Sequence, residues 1–99
     1  LGGMLDVLKC ANYAFLNNLH VNLAGKVAET SISSLAIAHL ACCIPQMDWD
    51  LSITNQYLEE DPVKKPLLIT NGHIDINNSI GLGTEIDEKV AEKYIKLFE

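Results

Sequence analysis

The chain has 99 residues, 48% hydrophobic and 20% charged, with thirteen acidic residues against seven lysines and no arginine, for a net charge of −6. Such a chain makes at most one domain, its apolar content argues against disorder, and its acidity excludes nucleic acid as the primary partner. No apolar run reaches the roughly 18 to 20 residues of a membrane-crossing helix and no basic leader precedes one, so a cytoplasmic protein with no membrane partner is expected.

Leu1 followed by Gly2-Gly3, without an initiator Met, sets the expectation of a piece of something longer. From Met4 to about Asn18, apolar residues recur at Leu5, Leu8, Ala11, Phe15 and Leu19, which predicts a helix with one buried face, stopped by Asn17-Asn18. His20 to Ala24 is short, partly β-branched and closed by Gly25, the pattern of a strand running into a mouth loop. Thr30 or Ser31 then caps a second helix, whose Ile32, Leu35, Ala36, Ala38, His39, Leu40 and Cys43 predict burial over most of its surface. Pro45 ends that helix for want of a backbone N–H, and the alternation from Met47 to Ile53 predicts a second strand.

Asn55 to Lys65 is a polar crossover, with Glu59-Glu60-Asp61 expected on a solvated face. Leu67 to Thr70 and His73 to Ile76 flank Asn71-Gly72, which suits the type I′ turn of a hairpin. After Gly81-Leu82-Gly83, a last helix is predicted from about Asp87 through Val90, Tyr94, Ile95 and Phe98. The order helix, strand, helix, strand implies an α/β fold with parallel strands over residues 1–54, and residues 55–99 form the crossover, hairpin and last helix, together one partial domain. Two parallel strands have bare edges, so a homo-oligomer is expected. Cys10, Cys42 and Cys43 are odd in number and lack metal-knuckle spacing, so they are read as buried free thiols.

Glu29 stands between a parallel strand and a helix N-terminus, where barrel enzymes carry polar machinery. It is either catalytic or a complement to the helix dipole, and the residues alone leave both open. Lys26, in the same loop, pairs with Glu29, faces a substrate carboxylate or is merely solvated. Asp48 and Asp50 flank Trp49 and would share one side of a strand, suiting an ammonium or a cation, or else would mark a strand end in water. His20, His39 and His73 lack ligand spacing, His39 reading as a core histidine, and Gly81-Leu82-Gly83 is too short for a phosphate loop.

Taken in order, Gly2-Gly3 before a helix, Ala24-Gly25-Lys26-Val27-Ala28-Glu29-Thr30-Ser31, Ala38-His39-Leu40-Ala41, Trp49, the hairpin from Leu68 to Ile76 and Gly81-Leu82-Gly83 with Asp87-Glu88 resemble the C-terminal part of the mandelate racemase and muconate lactonizing enzyme family, within the enolase superfamily. The resemblance covers essentially the whole chain. It implies the last units of a (β/α)7β barrel, with a terminal hairpin and helix returning toward a capping domain. It also implies an enzyme that binds Mg²⁺ through three carboxylates and removes a proton next to the carboxylate of a small substrate, as racemase, epimerase, cycloisomerase or dehydratase.

None of those metal ligands is expected in this chain, and no cofactor is expected for it alone. The ligands would lie on strands three to five, a paired lysine motif on strand two, and a second lysine base just upstream of Leu1. Glu29 matches a position that the muconate-type branch uses at its active site, and Lys26 or a neighbour stands where the mandelate-type branch has a catalytic histidine, which favours the lysine-based branch. Ser79-Ile80 replaces the usual Pro-Gly. Glu29 is therefore the catalytic candidate, and Lys26 and Asp50 the substrate-binding ones. The competing reading is a truncated, non-catalytic module that folds by self-association.

Overall fold

Two glycines at positive φ, 80° at Gly2 and 139° at Gly3, turn the chain into the first helix, α1 (Met4–Leu16), of the computed structural model, which describes residues 1–97. Asn18, at φ 55°, closes it in the left-handed conformation that asparagine tolerates. α1 packs against the second helix, yet Ala11 is its one buried residue. Leu5 and Leu19 are more than half exposed and Phe15 somewhat less, and the expected buried face is corrected to a narrow strip. The periodicity is helical as predicted, but a single neighbouring helix cannot cover a full apolar face.

Strand β1 (Leu23–Ala24) leads through a loop to α2 (Ser31–Cys43), which returns the chain to β2 (Leu51–Ser52). The two strands pair in parallel, Leu23 opposite Leu51 and Ala24 opposite Ser52, and Gly25 N–H extends the ladder to Ser52 O at 2.9 Å. The fold is thus α/β with a small parallel sheet. Both strands are shorter than their sequence patterns. His20 to Asn22 and Met47 to Asp50 run beside each other, but side chains join them: His20 Nδ1 to Asp48 Oδ2 at 2.7 Å, and Asn22 Nδ2 donating to Trp49 O at 2.7 Å. Those bonds take the place of a backbone ladder.

Of the apolar residues expected to be buried, α2 buries Leu35, Ala38 and Leu40, half-buries Ile32, Ala36 and His39 and exposes Cys43, and it also buries Ser31 and Ser34. Leu35, Ile53 and Leu67 form the core, with Ile37, Leu51, Ile74, Ile76 and Leu82 packed on it. Ile74 and Ile76 reach it two residues apart, the period of a strand. Between the hairpin arms, Asn71 (φ 51°) and Gly72 (φ 75°) form the positive-φ turn, and Thr70 and His73 exchange two backbone hydrogen bonds of 2.9 Å. That single pair is the whole ladder of the predicted hairpin.

A 3-10 turn (Asn55–Tyr57) opens the crossover, and Val63 bridges Ile86 in antiparallel fashion just before α3 (Glu88–Ile95). Asp87 caps α3, accepting from Lys89 N at 3.1 Å and Val90 N at 3.3 Å. Phe98, the predicted end of this helix, lies outside the described residues. The acidic run is corrected in part: Glu60 pairs with Lys93, and Asp61 is half-buried with two hydrogen bonds to Ser31. The cysteines are free, but Cys10, Cys42 and Cys43 are all exposed rather than buried. Cys42 and Cys43 are the last two residues of α2, beyond its buried stretch. Among the described residues no helix is long and apolar enough to cross a membrane.

Candidate functional site

Because β1 and β2 are parallel, the loops that leave them emerge at the same end of the sheet. Gly25 to Thr30 follows β1, and Ile53 to Asn55 follows β2. The β1 loop turns sharply at Ala28, which takes a φ of 56° against its own side chain. Thr54 ties the two loops together, its hydroxyl donating to Lys26 O and accepting from Glu29 N at 3.2 Å.

Glu29 enters this mouth half-buried, immediately before α2. Ser33, one turn into the helix, donates from its hydroxyl to Glu29 Oε2 at 2.9 Å. Gly25 lies beneath the same oxygen, where the space for a Cβ is already taken. Ser33 thus holds the carboxylate beside the start of α2, over the space that the missing Cβ of Gly25 leaves free.

Thr30 occupies the cap position of α2 but makes no side-chain cap bond. The cap comes instead from Asp61, thirty residues on, whose Oδ2 accepts from Ser31 N at 2.9 Å and Ser31 Oγ at 2.7 Å. Ser31 is fully buried, and its hydroxyl accepts in turn from Leu67 N at 2.8 Å and Asn55 Nδ2 at 3.2 Å. Asn55 Nδ2 also donates to Leu67 O at 2.7 Å. Asn55 and Asp61 of the crossover, and Leu67 just beyond it, are thus hydrogen-bonded to the start of α2.

The structure brings Lys26 and Glu29 into one loop, though among the described residues no ion pair joins them and Lys26 is exposed. Asp50 is elsewhere. It precedes β2, four residues of extended chain or about 13 Å from Thr54, at the end of the sheet opposite the mouth. There it borders an apolar groove between α2, β2 and the hairpin, lined by Ala38, Ile53 and Ile74 among others. Asp48 is not paired with Asp50 as a joint cation site, because its carboxylate is engaged by His20, which also stacks on Trp49 with ring centroids 5.5 Å apart. His39 Nε2 lies 3.3 Å from Leu82 O and His73 Nδ1 2.9 Å from Asn71 O, both structural contacts.

The sequence does not single out Thr54 or Asp61 as parts of the mouth, while Ser31 stands in it as a cap candidate whose partners the sequence does not name. Thr54 had a usable signal, since it follows β2 as Lys26 follows β1. Asp61 had none, because its partner is set by tertiary folding. Among the described residues no group of three or more His, Cys, Asp or Glu side chains could hold a metal ion, so the residues present do not fit the magnesium site that the family implies.

Residues 1–90 match the enolase C-terminal domain-like family. The chain is 31% identical over 97 residues to o-succinylbenzoate synthase of Bacillus subtilis (strain 168), covering 96% of this chain and 26% of that protein. It is 30% identical over 99 residues to o-succinylbenzoate synthase of Listeria innocua serovar 6a (strain ATCC BAA-680 / CLIP 11262), covering 100% and 26%. The chain therefore spans about a quarter of the length of the curated relatives it matches. Its fold superposes with a TM-score of 0.84 on a crystal structure of an enolase from Mycobacterium smegmatis str. MC2 155 complexed with formate and acetate, at 26% identity over 97% of this chain and 24% of that one. By sequence and by fold alike, the chain belongs to the enolase C-terminal domain-like family, within the enolase superfamily.

Proposed function

We propose that this chain forms the closing quarter of a (β/α)7β barrel in a lyase of the o-succinylbenzoate synthase kind, acting on a small carboxylate substrate. The observation that carries this reading is the Glu29 carboxylate, fixed by Ser33 at the C-terminal mouth of two parallel strands, in a family of enzymes. Loss of water from a substrate needs a proton placed at the departing oxygen and charge stabilised on the carboxylate that remains. Glu29 carries the proton-transfer or charge-stabilising role in this segment. Lys26, exposed in the same loop, supplies positive charge toward the substrate carboxylate. Asp50 precedes β2, at the end of the sheet away from Glu29 and Lys26, and takes neither role. The similarity to two o-succinylbenzoate synthases favours water loss over racemisation, epimerisation or cycloisomerisation.

The test is a graft. The C-terminal quarter of the Bacillus subtilis relative is replaced by this chain, and formation of o-succinylbenzoate is measured. Turnover by the graft, reduced about 10²-fold or more by Glu29→Gln, is the expected result. A folded graft without turnover would overturn it and favour a non-catalytic, self-associating module, the reading to which the exposed Leu5, Leu16, Val27 and Ile80 lend weight.

A further inference from the structure

Glu29 does not fix its own position. The loop that carries it has one side chain bond of its own, to Ser33, and otherwise leans on the segment after β2. Thr54 holds the loop at Lys26 and Glu29, and Asp61 holds the first residue of α2, two positions beyond Glu29. Ser31 is the hub: 0% exposed, it donates from nitrogen and hydroxyl to one carboxylate oxygen and accepts from Leu67 and Asn55. A carboxylate facing a helix N-terminus satisfies an orphan N–H and is favoured by the dipole.

We propose that Asp61 is a positioning residue, which anchors the N-terminus of α2 through Ser31 and thereby sets where the Glu29 carboxylate stands in the mouth. The proposal rests on the reading of Glu29 as a working group only for its effect on rate. Its structural half stands alone. Among the described residues no hydrogen bond joins Asp61 to Glu29, and its action runs through the backbone from Ser31 to Glu29. Misplacement of a reacting group by about 1 Å is enough to reduce a rate about 10²-fold.

Two measurements test it. In the 99-residue chain, amide hydrogen exchange is followed by segment for the wild type, Asp61→Ala and Asp61→Asn. Asp61→Ala is expected to speed exchange about 10-fold or more in residues 25–34 while leaving α3 within about 2-fold. Asp61→Asn keeps an acceptor oxygen and should restore most of the protection. A uniform rise across α1, α2 and α3 would mean that Asp61 only supports global stability, and an unchanged loop would mean that it does nothing; either overturns the proposal. In the graft described above, Asp61→Ala and Ser31→Ala are expected to lower kcat about 10-fold or more with KM changed less than about 2-fold. Ser31→Ala removes only the hydroxyl share of the Asp61 contact, together with the bonds from Leu67 and Asn55. Should Asp61→Ala fail to fold, Asp61→Glu, which keeps the charge but moves the acceptor by one methylene, therefore carries the test and is expected to lower kcat in the same way. A silent wild-type graft speaks against the proposed function and leaves the exchange result to decide this one. An active graft that needs Glu29 but keeps full kcat in both variants would overturn the positioning role alone.

Discussion

A Cβ on Gly25 would lie 2.6 Å from Oε2 of Glu29 and 3.4 Å from Cδ1 of Ile37. The glycine is needed for space and not for backbone freedom, since it continues the parallel ladder to Ser52. Gly25→Ala is accordingly expected to displace the end of a flexible side chain and little else. Melting should move by no more than about 1 kcal/mol in either direction, while activity in the graft falls as far as it does in Glu29→Gln. Thermal unfolding and kcat on the same variant check this, and a large loss of stability would place the clash at Ile37 instead.

Glu29→Gln separates the two roles open to that residue. As a working group at the mouth, its loss reduces kcat about 10²-fold or more with an unchanged melt. As a mere complement to the α2 dipole, its loss leaves kcat nearly unchanged and lowers stability by roughly 0.3 to 1 kcal/mol. Kinetics and melting curves from one preparation decide, and the first outcome is expected.

Helices and turns were readable from the sequence because their causes are local. The apolar spacing of α1, the Asn71-Gly72 turn and the start of α3 near Asp87 each depend on residues within a turn or two of one another. The parallel pairing followed from the order of elements. What stayed hidden is what the tertiary fold decides. Leu5 and Leu19 are on a helix with the right period and yet face outward, because burial depends on a neighbour that periodicity cannot name. Thr30 has the chemistry of a cap and makes no cap bond, while Asp61 looked like part of a solvated acidic run and caps Ser31. Asp48 and Asp50 would share a side on a regular strand, but the ladder stops at Leu51.

Lys64 and Glu85 make an exposed ion pair of 2.6 Å across the bridge that leads into α3. The hydrogen bond and charge of Lys64 hold the Glu85 carboxyl below its ordinary 4.5, and those of Glu85 raise the Lys64 ammonium above 10.5. A depressed carboxylate contributes stability above its unfolded value and loses it as pH falls through the folded one. A raised ammonium contributes below its unfolded value and loses it as pH rises through the folded one. The pair thus acts between these limits, and full exposure keeps its effect small. An NMR titration should place the Glu85 midpoint below 4.5 and return it toward that value in Lys64→Met, with no measurable change in melting.

Magnesium is expected to find no specific site on the 99-residue chain, since a hard cation needs converging oxygen ligands and the described carboxylates do not converge. Calorimetric titration is the check. A stoichiometric site of micromolar affinity, lost in Glu29→Ala, would show that the mouth binds metal by itself.

The isolated chain is expected to self-associate. Its sheet has two strands and therefore two open edges, and Leu5, Leu16, Trp49 and Leu68 are more than half exposed. Unpaired edges and broad apolar surface both favour contact with further copies. Light scattering coupled to size-exclusion chromatography over a wide dilution range should show dimers or larger species that dissociate on dilution. A 10.9 kDa monomer with a cooperative melt would mark a self-sufficient domain.

Ser31 leaves the ribosome thirty residues ahead of Asp61, and Leu23 leaves twenty-eight ahead of Leu51. At synthesis rates of about 5 to 20 residues per second, the start of α2 waits on the order of seconds for its cap. During that interval the helix has its apolar face but not its anchor, and for most of it β1 has no strand partner. A message truncated between the codons for Ser52 and Thr54 would yield a sheet whose mouth has neither the Thr54 tie nor the Asp61 cap, and such a product is a natural target for proteolysis before it ever meets a substrate.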